Sequence, residues 1–218
     1  MSTVIGPLAH ARFLARDALL VAPDLLGMIL VRGRVALRIT EVEAYRSPDD
    51  SASHCRAGKT ARNATMWGPP GRAYVYLCYG IHHMLNVVTG EDGVGEAVLV
   101  RACEPVTGLP QIRARRGGLT GPALLTGPGK VAAALGLDRS TDGESLCAPG
   151  GLELHRGAPP AAVLVGPRVG VDYARPRDRR APYRFAVAGS PWVSHTRTLR
   201  PLVARSRATA AAEKDAPR

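Results

Sequence analysis

Val35-Ala36-Leu37-Arg38-Ile39-Thr40-Glu41-Val42-Glu43-Ala44-Tyr45 reads as a β-strand, because Val35, Leu37 and Ile39 sit on alternate positions. Period-two alternation then puts Glu41 and Glu43 on one face and Val42 and Ala44 on the other. A half-exposed strand whose glutamates meet water has the same pattern, so the neighbours must decide between the two readings. Downstream lies Tyr74-Val75-Tyr76-Leu77-Cys78-Tyr79-Gly80, introduced by the turn signal Gly68-Pro69-Pro70-Gly71. Tyr74 and Tyr76 share one strand face, with Val75 and Leu77 opposite. Tyr79, beside Gly80, falls at a hairpin tip, where an aromatic is either a stray surface residue or a wedge. Between Ile39 and Asn86 the chain places four of its six tyrosines with His54, Asn86 and both glutamates. Such a set suits a pocket that stacks a flat ring and does water chemistry beside it.

Working outward, strands are predicted near residues 27–32, 35–44, 73–77, 85–88, 97–104, 152–155, 162–171 and 184–187. Helices are predicted near 12–21, 109–116 and 130–135, the last opening after Gly127-Pro128-Gly129. Dominant strands with few helices imply an α+β fold: one domain around a curved, largely antiparallel β-sheet with peripheral helices. The 218 residues suffice for a single sizeable core, and no repeat or composition break divides them. That domain is assigned to residues 1–199. From about Leu199 the chain turns to Arg, Ala and Ser without periodicity, so 200–218 is expected to be a basic, disordered tail.

Lysine plus arginine total 29 against 18 acidic residues, a net charge of +11; the pI near 10.2 suits a phosphate-bearing partner. Arginines cluster at 113, 115 and 116, read as a helix face, and at 175, 177, 179, 180 and 184, read as a loop. The four cysteines, Cys55, Cys78, Cys103 and Cys147, show no paired spacing and are expected as free buried thiols of a reducing compartment. The N-terminal 25 residues interleave Arg12, Arg16, Asp17 and Asp24 with apolar positions, unlike a signal peptide. No run of about 18 apolar residues offers a membrane span. The chain is expected in the cytoplasm, with the nucleoid.

Several segments resemble the alkyladenine (3-methyladenine) DNA glycosylase family. These are Glu41 to Tyr45, Ser53-His54, Arg62-Asn63, Gly68 to Tyr76 and Tyr79 to Asn86, then Val98 to Ala102 with Glu104-Pro105. Gly127 to Lys130, Arg168 to Val171, Arg184-Phe185 and Gly189 to Ser194 follow in the same order. The resemblance implies a fold similar to the C-terminal domain of methionyl-tRNA formyltransferase. It also implies a monofunctional glycosylase of base excision repair, bacterial in type, acting as a monomer on double-stranded DNA that contains damaged purines. No metal and no cofactor is implied.

By this resemblance Glu43 is the general base that activates water and steadies an oxocarbenium-like sugar. Arg101 orients that water or a phosphate, and the Val169 carbonyl accepts a hydrogen bond from the water. Tyr45 stacks on one face of a flipped base, while His54 and Tyr76 close the other. Asn86 collides with the exocyclic amine of guanine, a discrimination by repulsion. Tyr79 enters the vacated space in the duplex. Thr60, Arg62, Gly80 and Gly170 are candidate phosphate contacts.

Rival motifs fail on the residues. Leu124 and Val131 replace the first glycine and the Ser/Thr of a phosphate loop around Gly127-Pro128-Gly129-Lys130. A zinc deaminase needs His-x-Glu and Pro-Cys-x-x-Cys, and the chain has neither. His82 and His83, adjacent on a strand, point apart. Lysine is scarce, and none falls within the matched pocket motifs to form a Schiff base. The remaining alternative is a non-catalytic minor-groove DNA or RNA binder of the same fold, which the joint presence of Glu43, Arg101 and both stacking tyrosines disfavours.

Overall fold

The computed structural model describes residues 5–202. Two short helices open the chain, α1 (Ala11–Leu14) and α2 (Ala18–Leu25). The single helix predicted over 12–21 is broken between them, because the Asp17 carboxylate accepts from the Leu19 amide at 2.8 Å and starts a new helix. The Glu96 carboxylate takes the neighbouring Ala18 amide at 2.8 Å. Strands β1 (Ile29–Arg32) and β2 (Val35–Tyr45) come next, then the hairpin β3 (Ala73–Cys78) and β4 (His82–Thr89), then β5 (Glu96–Thr107). Helices α3 (Leu109–Arg115) and α4 (Pro128–Leu135) lead into β6 (Glu153–His155) and β7 (Val163–Gly166). The chain ends with α5 (Pro176–Arg180), β8 (Arg184–Val187) and β9 (Arg200–Pro201).

These strands form one sheet ordered β3-β4-β5-β2-β8-β7-β9, with β1 and β6 branching from β2, and every pairing is antiparallel. The α+β expectation holds. β2 is the organising strand. Its first half pairs with β1, its second half with β8, and β5 runs along its other edge. Between Ile39 and Glu41 the β2–β5 register shifts. The apolar parity shifts with it: Val35, Leu37 and Ile39 are core residues on odd positions, Val42 and Ala44 on even ones. The bulge keeps all five in the core and aims Glu41 and Glu43 at the opposite face, a use of bulges common beside active sites.

That apolar face packs on α2 and α4 through Val21, Leu25, Val131 and Leu135, with Val87, Val98 and Val100 from the sheet. The opposite face carries the polar rank. Register aligns Arg184 of β8, Glu43 of β2, Leu99 of β5, Asn86 of β4 and Tyr74 of β3. Directly opposed residues point the same way, so the five side chains lie in a row on one face.

Four further expectations are corrected. The strand predicted over 162–171 stops at Gly166, since Pro167 has no amide to donate, and 167–175 is a loop over the polar face. The arginine cluster read as a loop is the single-turn helix α5 plus Arg184, a fully buried residue of β8. The cluster at 113–116 does lie on and after α3. The ordered chain passes the expected boundary at Leu199, because Arg200 and Pro201 pair with Val165 and Leu164. The rest of the tail expectation, 203–218, lies outside the described residues. All four cysteines are free thiols, but only Cys55 and Cys103 are buried. Among the described residues no helix is long and apolar enough to cross a membrane.

Candidate active site

The polar face of the sheet is floored by a four-member charge network. Glu41 and Glu43 are fully buried. The Glu41 carboxylate accepts from Arg101 Nε at 3.1 Å, Arg184 Nη1 at 3.0 Å and the Ser194 amide and hydroxyl at 2.7 and 2.9 Å. Both of its oxygens are thus engaged by protein donors. Glu43 is engaged differently. Its Oε1 accepts from the Val169 amide at 2.7 Å and lies 3.2 Å from Arg101 Nη1, and its Oε2 accepts only the Tyr45 hydroxyl, at 2.9 Å. Arg101, Tyr45 and Val169 all line a cleft of about 460 Å³. Glu43 therefore stands directly behind the cleft wall, one side chain from open space. Two carboxylates and two guanidiniums balance in charge, which is what keeps so dense a buried cluster tolerable.

The Val169 group that touches Glu43 is its N–H, whereas the sequence singled out its carbonyl. Gly166 ends β7 and Pro167 turns the chain, so the loop 167–170 arrives with the Val169 amide on the carboxylate. Arg184 Nε donates to the Pro167 carbonyl at 2.8 Å, tying that loop to the network. Arg168 holds its other side: Nη2 donates to Asp50 Oδ1 at 2.7 Å and Nη1 to the Ala44 carbonyl at 2.9 Å. The Arg168 guanidinium lies 4.7 Å from the Tyr45 ring centroid and 5.1 Å from that of Tyr183. Burial first and the Glu43 carboxylate second push the Tyr45 phenol well above its usual range, so it stays a donor.

Aromatic side chains gather against this floor. The His54 and Tyr76 rings meet edge to face at 4.6 Å, and Tyr76 packs on Tyr74 at 5.3 Å. His54 Nδ1 lies 2.9 Å from the Tyr74 hydroxyl. Asn86 Nδ2 donates to the Tyr74 carbonyl at 3.1 Å. Tyr45, His54, Tyr76 and Asn86, with Tyr173, enclose a smaller recess of about 40 Å³ beside the cleft. All four residues expected around a base are thus brought together.

Burial, and then the Arg62 and Arg56 guanidiniums, lower the His54 pKa from 6.5 to about 4. As pH falls from 6.5 the unfolded chain binds this proton before the folded one does. The stabilisation is complete above 6.5 and is lost as pH falls towards 4. His54 is expected to stay neutral in an imidazole NMR titration from pH 8 to pH 5, and a midpoint near 6.5 would contradict this environment.

The outer candidates lie at the rim. Tyr79 is 89% exposed at the β3–β4 tip with φ of +50°, a left-handed backbone that non-glycine residues seldom adopt. Ile81 beside it is 73% exposed. Thr60 and Arg62 line a shallow groove next to His54, and Arg62 also lines the main cleft. Gly80 and Gly170 are exposed with positive φ and open space where a Cβ would stand. Sequence reasoning missed roles for Glu41, Arg184, Arg168, Asp50 and Tyr173. Glu41 and Arg184 had a signal in strand parity, but the pairing of β8 with β2 had first to be known.

The sequence profile of the methylpurine-DNA glycosylase family matches residues 12–191. The chain belongs to that family. It is 63% identical over 190 residues to a Nitrosococcus oceani protein that bears the name of a 3-methyladenine DNA glycosylase, covering 87% of this chain and 94% of that one. It is also 55% identical over 193 residues to the DNA-3-methyladenine glycosylase of Arabidopsis thaliana, covering 87% and 76%. A similarly named Streptomyces avermitilis protein is 46% identical over 199 residues, covering 87% and 92%. Membership in the methylpurine-DNA glycosylase family makes the chain an enzyme, a hydrolase of N-glycosyl bonds that serves DNA repair of alkylation damage. The recognition made from segments between Glu41 and Ser194 is borne out.

Proposed function

We propose that this glycosylase flips alkylated purines, 3-methyladenine among them, out of duplex DNA and hydrolyses the N-glycosidic bond with a water activated by Glu43. The observation that carries the reading is the asymmetry of the two buried glutamates. Glu41 is saturated by Arg101, Arg184 and Ser194, whereas Glu43 Oε2 holds only the movable hydroxyl of a cleft-lining tyrosine. A base that displaces the Tyr45 hydroxyl frees that oxygen to take a water and then its proton. Arg101, 3.2 Å from Oε1, faces Glu43 with a compensating charge.

A purine that carries an alkyl-derived positive charge leaves the sugar without an acid to protonate it, so one carboxylate suffices. Its charge also steadies the cationic sugar of the transition state. Arg168 already covers one side of the Tyr45 ring, which leaves the other for a base. Stacking on Tyr45, Tyr76 and His54 at about 1 to 3 kcal/mol each offsets the few kcal/mol that extrusion costs. A neutral His54 suits this task, because an imidazolium would repel a cationic purine. Asn86, its Nδ2 fixed on the Tyr74 carbonyl, presents its remaining amide surface to the recess as the discriminating contact against guanine. The Val169 carbonyl, Thr60, Arg62, Gly80 and Gly170 are assigned as water and phosphate contacts on their position at the cleft. We further assign the enzyme, as a monomer, to nucleoid DNA in the cytoplasm.

Single-turnover release of 3-methyladenine from methylated DNA tests the reading, with Tyr79→Ala as its sharpest variant. The exposed Tyr79 fills the gap that the flipped nucleotide leaves. The variant is expected to excise about tenfold or more slowly from duplex, the worth of a lost stack, and near the wild-type rate from single strands. Equal losses on both would remove the wedge role.

A further inference from the structure

The recess between Tyr45, His54, Tyr76 and Asn86 holds about 40 Å³, room for a few waters at most. A purine cannot enter unless one wall moves. Three of the aromatic walls are held from behind: the Tyr45 ring by Arg168 and by the Ala52, Val171 and Ala174 cluster, His54 by Tyr74, and Tyr76 by its packing on His54 and Tyr74. Tyr173 is the exposed wall, and it lines both the recess and the main cleft. It is 62% exposed and is anchored by one hydrogen bond, from its hydroxyl to the Ala52 carbonyl at 2.8 Å. The Arg56 guanidinium lies 5.6 Å from its ring centroid.

The backbone around Tyr173 is rigid on both sides. Val171 and Ala174 are buried with Ala52 in a small apolar cluster against Tyr45. The Arg175 amide donates to the Ser51 hydroxyl at 2.9 Å, and that hydroxyl also bonds the buried Asp178 carboxylate. The side chain alone is therefore free to swing, about χ1, at the cost of one partly exposed hydrogen bond. The same loop carries Val169 onto Glu43.

We propose that Tyr173 is the movable outer wall of the base pocket: its ring leaves Ala52 to admit the flipped purine and closes over it, so that it decides which extruded bases are retained. This rests on the glycosylase reading above. The ring supplies stacking surface that would otherwise be water, and its return to Ala52 shields the glycosidic bond. A base held by Tyr45 and Tyr76 alone would be lost back to the duplex more often before hydrolysis.

The test is single-turnover release of 3-methyladenine from dimethyl sulfate-treated duplex DNA, with wild type, Tyr173→Ala, Tyr173→Leu and Tyr173→Phe compared at saturating enzyme. A duplex with 2-aminopurine beside a 7-methylguanine reports extrusion directly by fluorescence. Tyr173→Ala and Tyr173→Leu are expected to slow release by about tenfold or more, the worth of one lost stack, and to shorten the life of the extruded state. Tyr173→Phe, which keeps the ring and loses only the anchor, is expected within about threefold of wild type with faster extrusion, since only one modest hydrogen bond is gone. Losses below these in Tyr173→Ala and Tyr173→Leu overturn the proposal. So does an equal loss in Tyr173→Phe, which would put the effect in the bond to Ala52. A wild type that releases no methylpurine at all would sink the glycosylase reading instead, so the two failures are told apart.

Discussion

Glu43→Gln is expected to stop excision of 3-methyladenine, lowering the single-turnover rate by about 100-fold or more, the usual worth of a general base. The amide keeps the shape of the carboxylate and can still accept from the Val169 amide, as Oε1 does at 2.7 Å. What it loses is basicity towards water and the negative charge opposite the developing sugar cation. Lesion-duplex affinity is expected to stay near wild type, because Glu43 is fully buried behind Tyr45 and Arg101 and offers no surface to the DNA. The substitution leaves Glu41 to balance both Arg101 and Arg184, so a thermal melt must accompany it. Excision within about tenfold of wild type by a folded variant would remove Glu43 from the chemistry.

This expectation was open to the sequence because β-strands carry period two on their surface. Glu41 and Glu43 on one face, with Tyr74 and Tyr76 together on another strand, follow from alternation alone, and both placements hold. The tip position of Tyr79 followed from the glycine after it. What alternation could not supply was the partner of each face. Glu41 and Glu43 have the same local pattern and opposite fates, since Glu41 meets Arg184 and Ser194, more than 140 residues away along the chain. Those contacts exist because β8 pairs with β2, a long-range event with no local signature.

The bulge at Thr40 was written in the residues as a change of apolar parity, odd up to Ile39 and even from Val42, but the same letters fit an unbroken strand with polar ends. The strand predicted through Val171 failed for a related reason. Val163, Val165, Val169 and Val171 keep the apolar rhythm, and only Pro167 and Gly170 mark the break that delivers the Val169 amide to Glu43. Tyr173 was invisible for want of any pattern: a lone aromatic in a charged loop, it gains its meaning from Ala52 and His54, which the fold brings beside it.

Arg184→Met should cost the most stability of any single change considered for this chain. The Arg184 side chain is fully buried, and it donates to the Pro167, Ser194 and His195 carbonyls and to Glu41. Methionine fills much of the volume but leaves those carbonyls unpaired and Glu41 sharing one guanidinium with Glu43. Breaking one partner from a buried network costs about 3 to 5 kcal/mol, which for a chain of this size is a fall in Tm of about 6 to 20 °C. The exposed pair Arg16–Asp24, at 2.8 Å with both side chains over a third accessible, should by contrast move Tm by no more than about 4 °C when broken. Calorimetric melts of the two variants test the contrast, and a shift under about 2 °C for Arg184→Met would mean the network is not what holds the two halves of the polar face together. Activity at a temperature where the variant is still folded adds a second reading. Arg184 fixes Pro167, two residues before the amide that grips Glu43, so the folded variant should also excise more slowly, with its lesion affinity retained. A variant that melts early yet excises at the full rate while folded would confine Arg184 to stability and leave the Val169 loop held by Arg168 and Asp50 alone.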